Sequence, residues 1–196
     1  YGLFAGYGAL ATGAVSRVMV IGSDVLTTIV DQSDRATAVL FGDGAGAVIL
    51  ESIAGEDRFL SWDLGVDGSA RSILQADRGG YLTMEGREVF RRAVRLTVES
   101  ASIALERAKC TPEDIAMFVP HQANLRIIEA AAHRIGIPPE HTAVDVARTG
   151  NTSAASIPLA LTDVADAGRL HDGDLVLLSG FGAGMSWGST VIRWGF

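Results

Sequence analysis

Cysteine is nearly absent from this chain: Cys110 stands alone among 196 residues, so no internal disulfide is available to hold the fold. Basic residues are outnumbered, 16 Lys and Arg against 23 Asp and Glu, and the net charge is −7. No run of Lys or Arg is dense enough to form a nucleic-acid arm, which excludes that class of partner. No uninterrupted apolar stretch reaches the roughly 18 residues that a membrane-crossing helix needs. The 4 histidines, His121, His133, His141 and His171, lack the i, i+4 pairing and the carboxylate clustering of zinc sites, so no metal is expected. A G-x-S-x-G nucleophile elbow is missing too, which removes the α/β serine hydrolases.

What is present is a chain that is 48% hydrophobic, enough for a substantial core in one large or two small domains. "YGLFAGYGALATG" starts at once as a small-residue helix ending at Gly13, with no capping residue, initiator Met or signal-peptide features. The sequence therefore reads as lacking its front, and as cytoplasmic. "SRVMVIGSD" then gives a buried strand closed by Gly22, residues 24–36 a polar connection, and "ATAVLFGDGAGAVILES" two extended segments joined by a turn at Gly42–Gly46. Those glycines precede a strand-like run rather than open a helix, so a dinucleotide site is rejected.

"RFLSWDLGVDGS" predicts another strand, and residues 69–82 an irregular loop. The spacing predicts a long helix over 85–109, with Phe90, Val94, Thr97, Ala101, Ala104, Leu105 and Ala108 on one face and Arg87, Arg91 and Arg95 opposite. Thr111 and Pro112 start a short helix. "IAMFVP" predicts a buried strand, "ANLRIIEAAAHRI" a helix, "HTAVDVARTG" a strand and turn, and "SAASIPLALTDVADAG" a further helix. The closing "GDLVLLSGFGAGMSWGSTVIRW" predicts two strands around a glycine-rich turn. Helix, Gly, Arg and buried strand recur in "ATGAVSRVMVIGS" and "ADAGRLHDGDLVLLSG", which suggests an internal duplication with only the end of its first copy present.

Candidate chemistry gathers at "VPHQANLRIIEAA". His121 falls where a strand hands over to a helix, the carboxyl end at which α/β sheets place ligands. Asn151, in "ARTGNTSAAS", sits in a turn just before another helix. Two such side chains could donate hydrogen bonds to one oxygen and stabilise a developing enolate or oxyanion. "GFGAGMSWG" lets backbone amides approach a ligand. Cys110 follows a helix C-terminus, where the dipole disfavours a thiolate, and reads as a small structural hydrophobe.

"VPHQANLRII", "GNTSAAS", "FGDGAGAV" and "GFGAGMSWGS" together resemble the β-ketoacyl-acyl carrier protein synthase III family, the initiating condensing enzymes of the thiolase-fold superfamily. The resemblance implies an α/β fold of duplicated α-β-α layers, with residues 1–52 ending an N-terminal half and 53–196 forming a C-terminal half. It implies decarboxylative condensation of an acyl-CoA starter with malonyl-acyl carrier protein, in fatty acid or polyketide initiation, by a homodimer needing no cofactor beyond its acyl-CoA substrate. His121 and Asn151 would stabilise the enolate, the Ala183 amide would serve the acyl oxyanion, and Phe181 would flank the site. Arg35 would stack on the CoA adenine. Met84, Gly86, Phe90, Ala123 and Asn124 would line the pantetheine channel, and Arg91 and Arg126 would dock the carrier protein. The family's nucleophilic Cys would lie upstream of Tyr1. Arg87 stands where some relatives carry Asn, and Ala183 replaces a frequent Gly. The alternatives are a thiolase-fold acyltransferase without elongation, and a non-catalytic partner subunit.

Overall fold

The computed structural model describes residues 1–195. In chain order it contains α1 (Gly2–Ala11), β1 (Arg17–Val25), β2 (Asp43–Glu51), β3 (Phe59–Val66), β4 (Leu74–Ala76), β5 (Leu82–Met84) and α2 (Gly86–Ala108). There follow β6 (Ile115–Pro120), α3 (Leu125–Ile135), the single turn α4 (Val146–Thr149), α5 (Ser156–Asp166), β7 (Leu175–Gly182) and β8 (Ser186–Arg193).

The principal sheet has the order β3-β8-β7-β6, antiparallel except for the parallel pair β6 and β7. Helices cover both of its faces, which is why β6 is an unbroken apolar run rather than an alternating one. Phe118 and Leu177 pack with Ala101, Ala104 and Leu105 of α2 and Ala132 and Ile135 of α3 on one side. Met117, Val119, Val176 and Leu178 meet Ala160, Leu161 and Val164 of α5 on the other. The ends are set locally: Lys109 (φ 57°) terminates α2, Gly136 (φ 96°) terminates α3, and the Thr111–Asp114 capping box starts the turn into β6.

β1 and β2 form a separate antiparallel pair, with Gly22 opposite Gly46. Here the structure corrects two expectations. Gly22 does not close a strand, and residues 42–46 are no turn: both lie within or against continuous strands. Their lack of a side chain is a packing requirement. A Cβ on Gly22 would lie 2.3 Å from the Ala154 carbonyl oxygen, and one on Gly46 would lie 2.9 Å from the Pro158 ring. The glycine-bearing face of this ribbon thus seats residues 152–158, the approach to α5.

Two further expectations change. Residues 69–82 hold a helical turn and the β4-β5 hairpin instead of an irregular loop. "HTAVDVARTG" makes only an isolated bridge, Thr142 to Phe118, and then the turn of α4, because the buried Gln122 side chain takes the backbone bonds a strand partner would have supplied. The arrangement α1-β1-β2 is matched by α5-β7-β8, each a helix leading into an antiparallel strand pair.

Candidate active site

A cavity of about 1150 Å³ is lined by the connection between β1 and β2, the β4-β5 hairpin, the start of α2, the residues that follow β6, and the facing ends of β7 and β8. His121 lies at its wall, immediately after β6. Its backbone N–H donates to the Ser179 carbonyl at 2.7 Å. Its Nδ1 lies 2.5 Å from the Ser156 hydroxyl, which also accepts the Gln122 N–H at 3.2 Å. The Phe181 ring meets the imidazole edge to face, with centroids 5.3 Å apart. Burial pushes the His121 pKa down to about 4, so the ring is neutral at physiological pH.

Asn151 lines the same cavity. Its backbone is held between Leu40 and Gly42 by N–H···O bonds of 2.8 and 3.0 Å. Its side-chain oxygen accepts the Ser153 N–H at 3.0 Å, which leaves the amide NH2 as the group available to a ligand. Ser153 itself takes a left-handed conformation (φ 51°) to make this turn. One polar atom of each side chain, His121 Nδ1 and Asn151 Oδ1, is thus engaged by the protein, and the other faces a possible ligand.

Gln122 is the residue that sequence reasoning passed over. It is fully buried, and its amide makes four bonds: Nε2 to the carbonyls of Pro120 and Ala143 at 2.8 and 3.2 Å, and Oε1 from the N–H groups of Asp145 and Val146 at 2.7 and 3.2 Å. It fastens the loop that leads to Asn151 onto the strand that carries His121. The signal was present as a polar residue beside a buried strand end, but only burial distinguishes a clamp from a surface amide.

Of the other expected site residues, Met84, Gly86, Phe90, Ala123, Asn124, Arg126, Phe181 and Ala183 all line the cavity, and so does Arg87. Asn124 has a second task, for its Oδ1 caps α3 by accepting the Arg126 N–H at 2.9 Å. Ala183 stands in the short link between β7 and β8, and its carbonyl accepts from the Ser186 hydroxyl at 3.2 Å. Arg35 and Arg91 are not among the lining residues. Arg35 is exposed beside Ala36, which does line it, and Arg91 is ion-paired to Glu88 at 2.7 Å. Cys110 does not line the cavity, and burial, followed by the Asp114 carboxylate, raises its thiol pKa. Among the described residues no group of three His, Cys, Asp or Glu is placed to hold a metal, and no helix is long and apolar enough to cross a membrane.

The layered fold with this cleft is of the thiolase-like class. Two models of one family match it: the 3-oxoacyl-[acyl-carrier-protein] synthase III model over residues 1–68, and the corresponding C-terminal model over residues 105–194. The chain belongs to the 3-oxoacyl-[acyl-carrier-protein] synthase III family. It is 46% identical over 195 residues to the β-ketoacyl-[acyl-carrier-protein] synthase III of Geobacillus kaustophilus, covering 100% of this chain and 62% of that one. With the Listeria welshimeri protein it shares 48% over 186 residues, 95% of this chain and 60% of the other. The synthase III structure from Thermus thermophilus superposes with a TM-score of 0.96 at 47% identity, over 100% of this chain and 64% of that one. A priming β-ketosynthase of a polyketide biosynthetic pathway gives 0.90 at 36%, over 97% and 61%. The chain thus spans a little under two thirds of the length of these relatives.

Proposed function

We propose that this chain supplies the decarboxylating half of an initiating condensing enzyme, which joins an acyl-CoA starter to malonyl-acyl carrier protein. The observation that carries the reading is the pairing of His121 and Asn151 on one apolar-walled cavity, with His121 Nδ1 held by the Ser156 hydroxyl and Asn151 Oδ1 by the Ser153 N–H. Loss of carbon dioxide from a malonyl thioester leaves an enolate whose negative charge sits on the thioester oxygen. A neutral imidazole N–H and a carboxamide N–H directed at that oxygen stabilise the enolate without supplying a proton that would quench it. The carbanion carbon then attacks the acyl thioester, whose tetrahedral oxyanion would be met by the Ala183 amide before it collapses, breaking the C–S bond and releasing the thiolate that carried the acyl group.

The nucleophile that carries the acyl group is a Cys outside these residues on this reading, since Cys110 does not line the cavity and its thiol is biased against ionisation. Met84, Gly86, Phe90, Ala123 and Asn124 form the pantetheine channel, with Phe181 fixing the imidazole face. Arg35 meets the CoA adenine at the rim, and Arg91 and Arg126 belong to the carrier-protein landing site. A division near residue 52, a homodimer and a cytoplasmic setting go with the same reading.

The test uses the protein carrying this chain. His121→Ala and Asn151→Ala should each lower carbon dioxide release from malonyl carrier protein by roughly 10²–10³-fold, the usual effect of losing one oxyanion donor. Acylation of the enzyme by radiolabelled acyl-CoA should persist. Wild-type carbon dioxide release by either variant would overturn the assignment.

A further inference from the structure

We infer that Ser156 is a positioning residue that fixes His121 in the tautomer carrying its proton on Nε2. The Ser156 side chain is buried, with the residue only 1% exposed, at the first position of α5. Its hydroxyl oxygen receives the Gln122 N–H at 3.2 Å and lies 2.5 Å from His121 Nδ1. Among the described residues, the hydroxyl proton has no acceptor other than Nδ1.

A neutral imidazole holds one proton, and the hydrogen bond at one nitrogen decides where it resides. If the proton were on Nδ1, it would point at an oxygen whose own proton would then be buried without a partner, at the cost of an unsatisfied donor. If it is on Nε2, Ser156 donates to Nδ1, the Gln122 N–H donates to Ser156, and every proton in the chain has an acceptor. The second arrangement leaves Nε2–H directed away from Ser156, in the sense an enolate oxygen requires. Only the kinetic part of this inference rests on the proposed condensation; the tautomer rests on geometry alone.

The same hydroxyl has a second consequence. Ser156 lies five residues beyond Asn151, on the segment seated against Gly22 and Gly46. Fixing the ring through Ser156 therefore references both donors to one element.

Nitrogen-15 labelling of the histidine rings, read by long-range proton–nitrogen correlation at neutral pH, measures the tautomer directly. The wild-type protein should show His121 with Nε2 protonated and Nδ1 accepting. Ser156→Ala should show a mixture, and kcat for carbon dioxide release should fall roughly tenfold, the order of one lost hydrogen bond, with KM for malonyl carrier protein unchanged. Ser156→Thr, which keeps the hydroxyl, should restore both. Protonated Nδ1 in the wild type would overturn the inference, and so would Ser156→Ala with unchanged tautomer and kcat. Should Ser156→Ala fail to fold, the wild-type spectrum still decides. If instead His121→Ala released carbon dioxide normally, the proposed function would fall while the ring spectrum kept its meaning.

Discussion

An imidazole in a buried cleft loses the hydration of its charged form, and desolvation is the dominant influence on His121, with no carboxylate offsetting it. The neutral ring that suits enolate stabilisation therefore carries a pH-dependent cost. Its pKa is about 4 in the fold against 6.5 for an ordinary histidine, so between those values the unfolded chain binds the extra proton. The native state is favoured fully above pH 6.5 and progressively less as pH falls toward 4. From pH 7 to pH 5 this one residue should remove roughly 2 kcal/mol of stability. Urea unfolding of wild type and His121→Ala at the two pH values checks it: the variant should lose less on acidification by about that amount. An identical loss in both would mean that the ring is hydrated in the native state.

At the scale of elements, the β1-β2 ribbon acts as a seat for the segment bearing Asn151 and Ser156, and glycine is what lets it approach. Gly22→Ala places a methyl carbon 2.3 Å from a backbone oxygen that has no flexible side chain to yield. We expect a loss of roughly 1–3 kcal/mol in stability, the usual cost of overpacking. On the proposed function, carbon dioxide release should decline as well, because residues 153–155 must shift. A variant with unchanged melting temperature and activity would mean that β1 and residues 154–155 are not in contact at Gly22. Much of this level was legible beforehand: the helices at 85–109 and 125–135 and the closing strand pair follow from periodicity, and His121 and Asn151 from where those elements end. The ribbon's strands were expected, but their role as a seat was not legible, because a glycine among β-branched residues looks like punctuation until the opposing carbonyl is known. Nor was Gln122, whose bonds to Ala143, Asp145 and Val146 stand where "HTAVDVARTG" was expected to form a strand and turn.

Taken whole, the chain carries a net charge of −7, so on the proposed function an acidic carrier protein would be repelled at long range and would have to be attracted locally. The arginines of α2 are unequal in this respect. Arg91 is paired with Glu88 at 2.7 Å and Arg95 with Glu99 at 3.4 Å, whereas Arg87 and Arg126 line the cavity with no ion pair among the described residues. Positive charge not already met by a neighbouring carboxylate is what a phosphopantetheine-bearing partner would encounter at the opening. On the proposed function, Arg126→Glu and Arg87→Glu should therefore each raise KM for malonyl carrier protein by roughly fivefold. Arg91→Glu should do less, since it also releases Glu88 to Arg92, which already shares it at 2.6 Å. Combining Arg91→Glu with Arg126→Glu should raise KM for the carrier protein far more than for acyl-CoA. Added salt should shrink the difference between wild type and variants, because exposed charges are screened beyond about 8 Å at physiological ionic strength. Steady-state kinetics with both substrates at two salt concentrations measures all of this. Equal effects on the two KM values would move the landing site away from the mouth of the cavity.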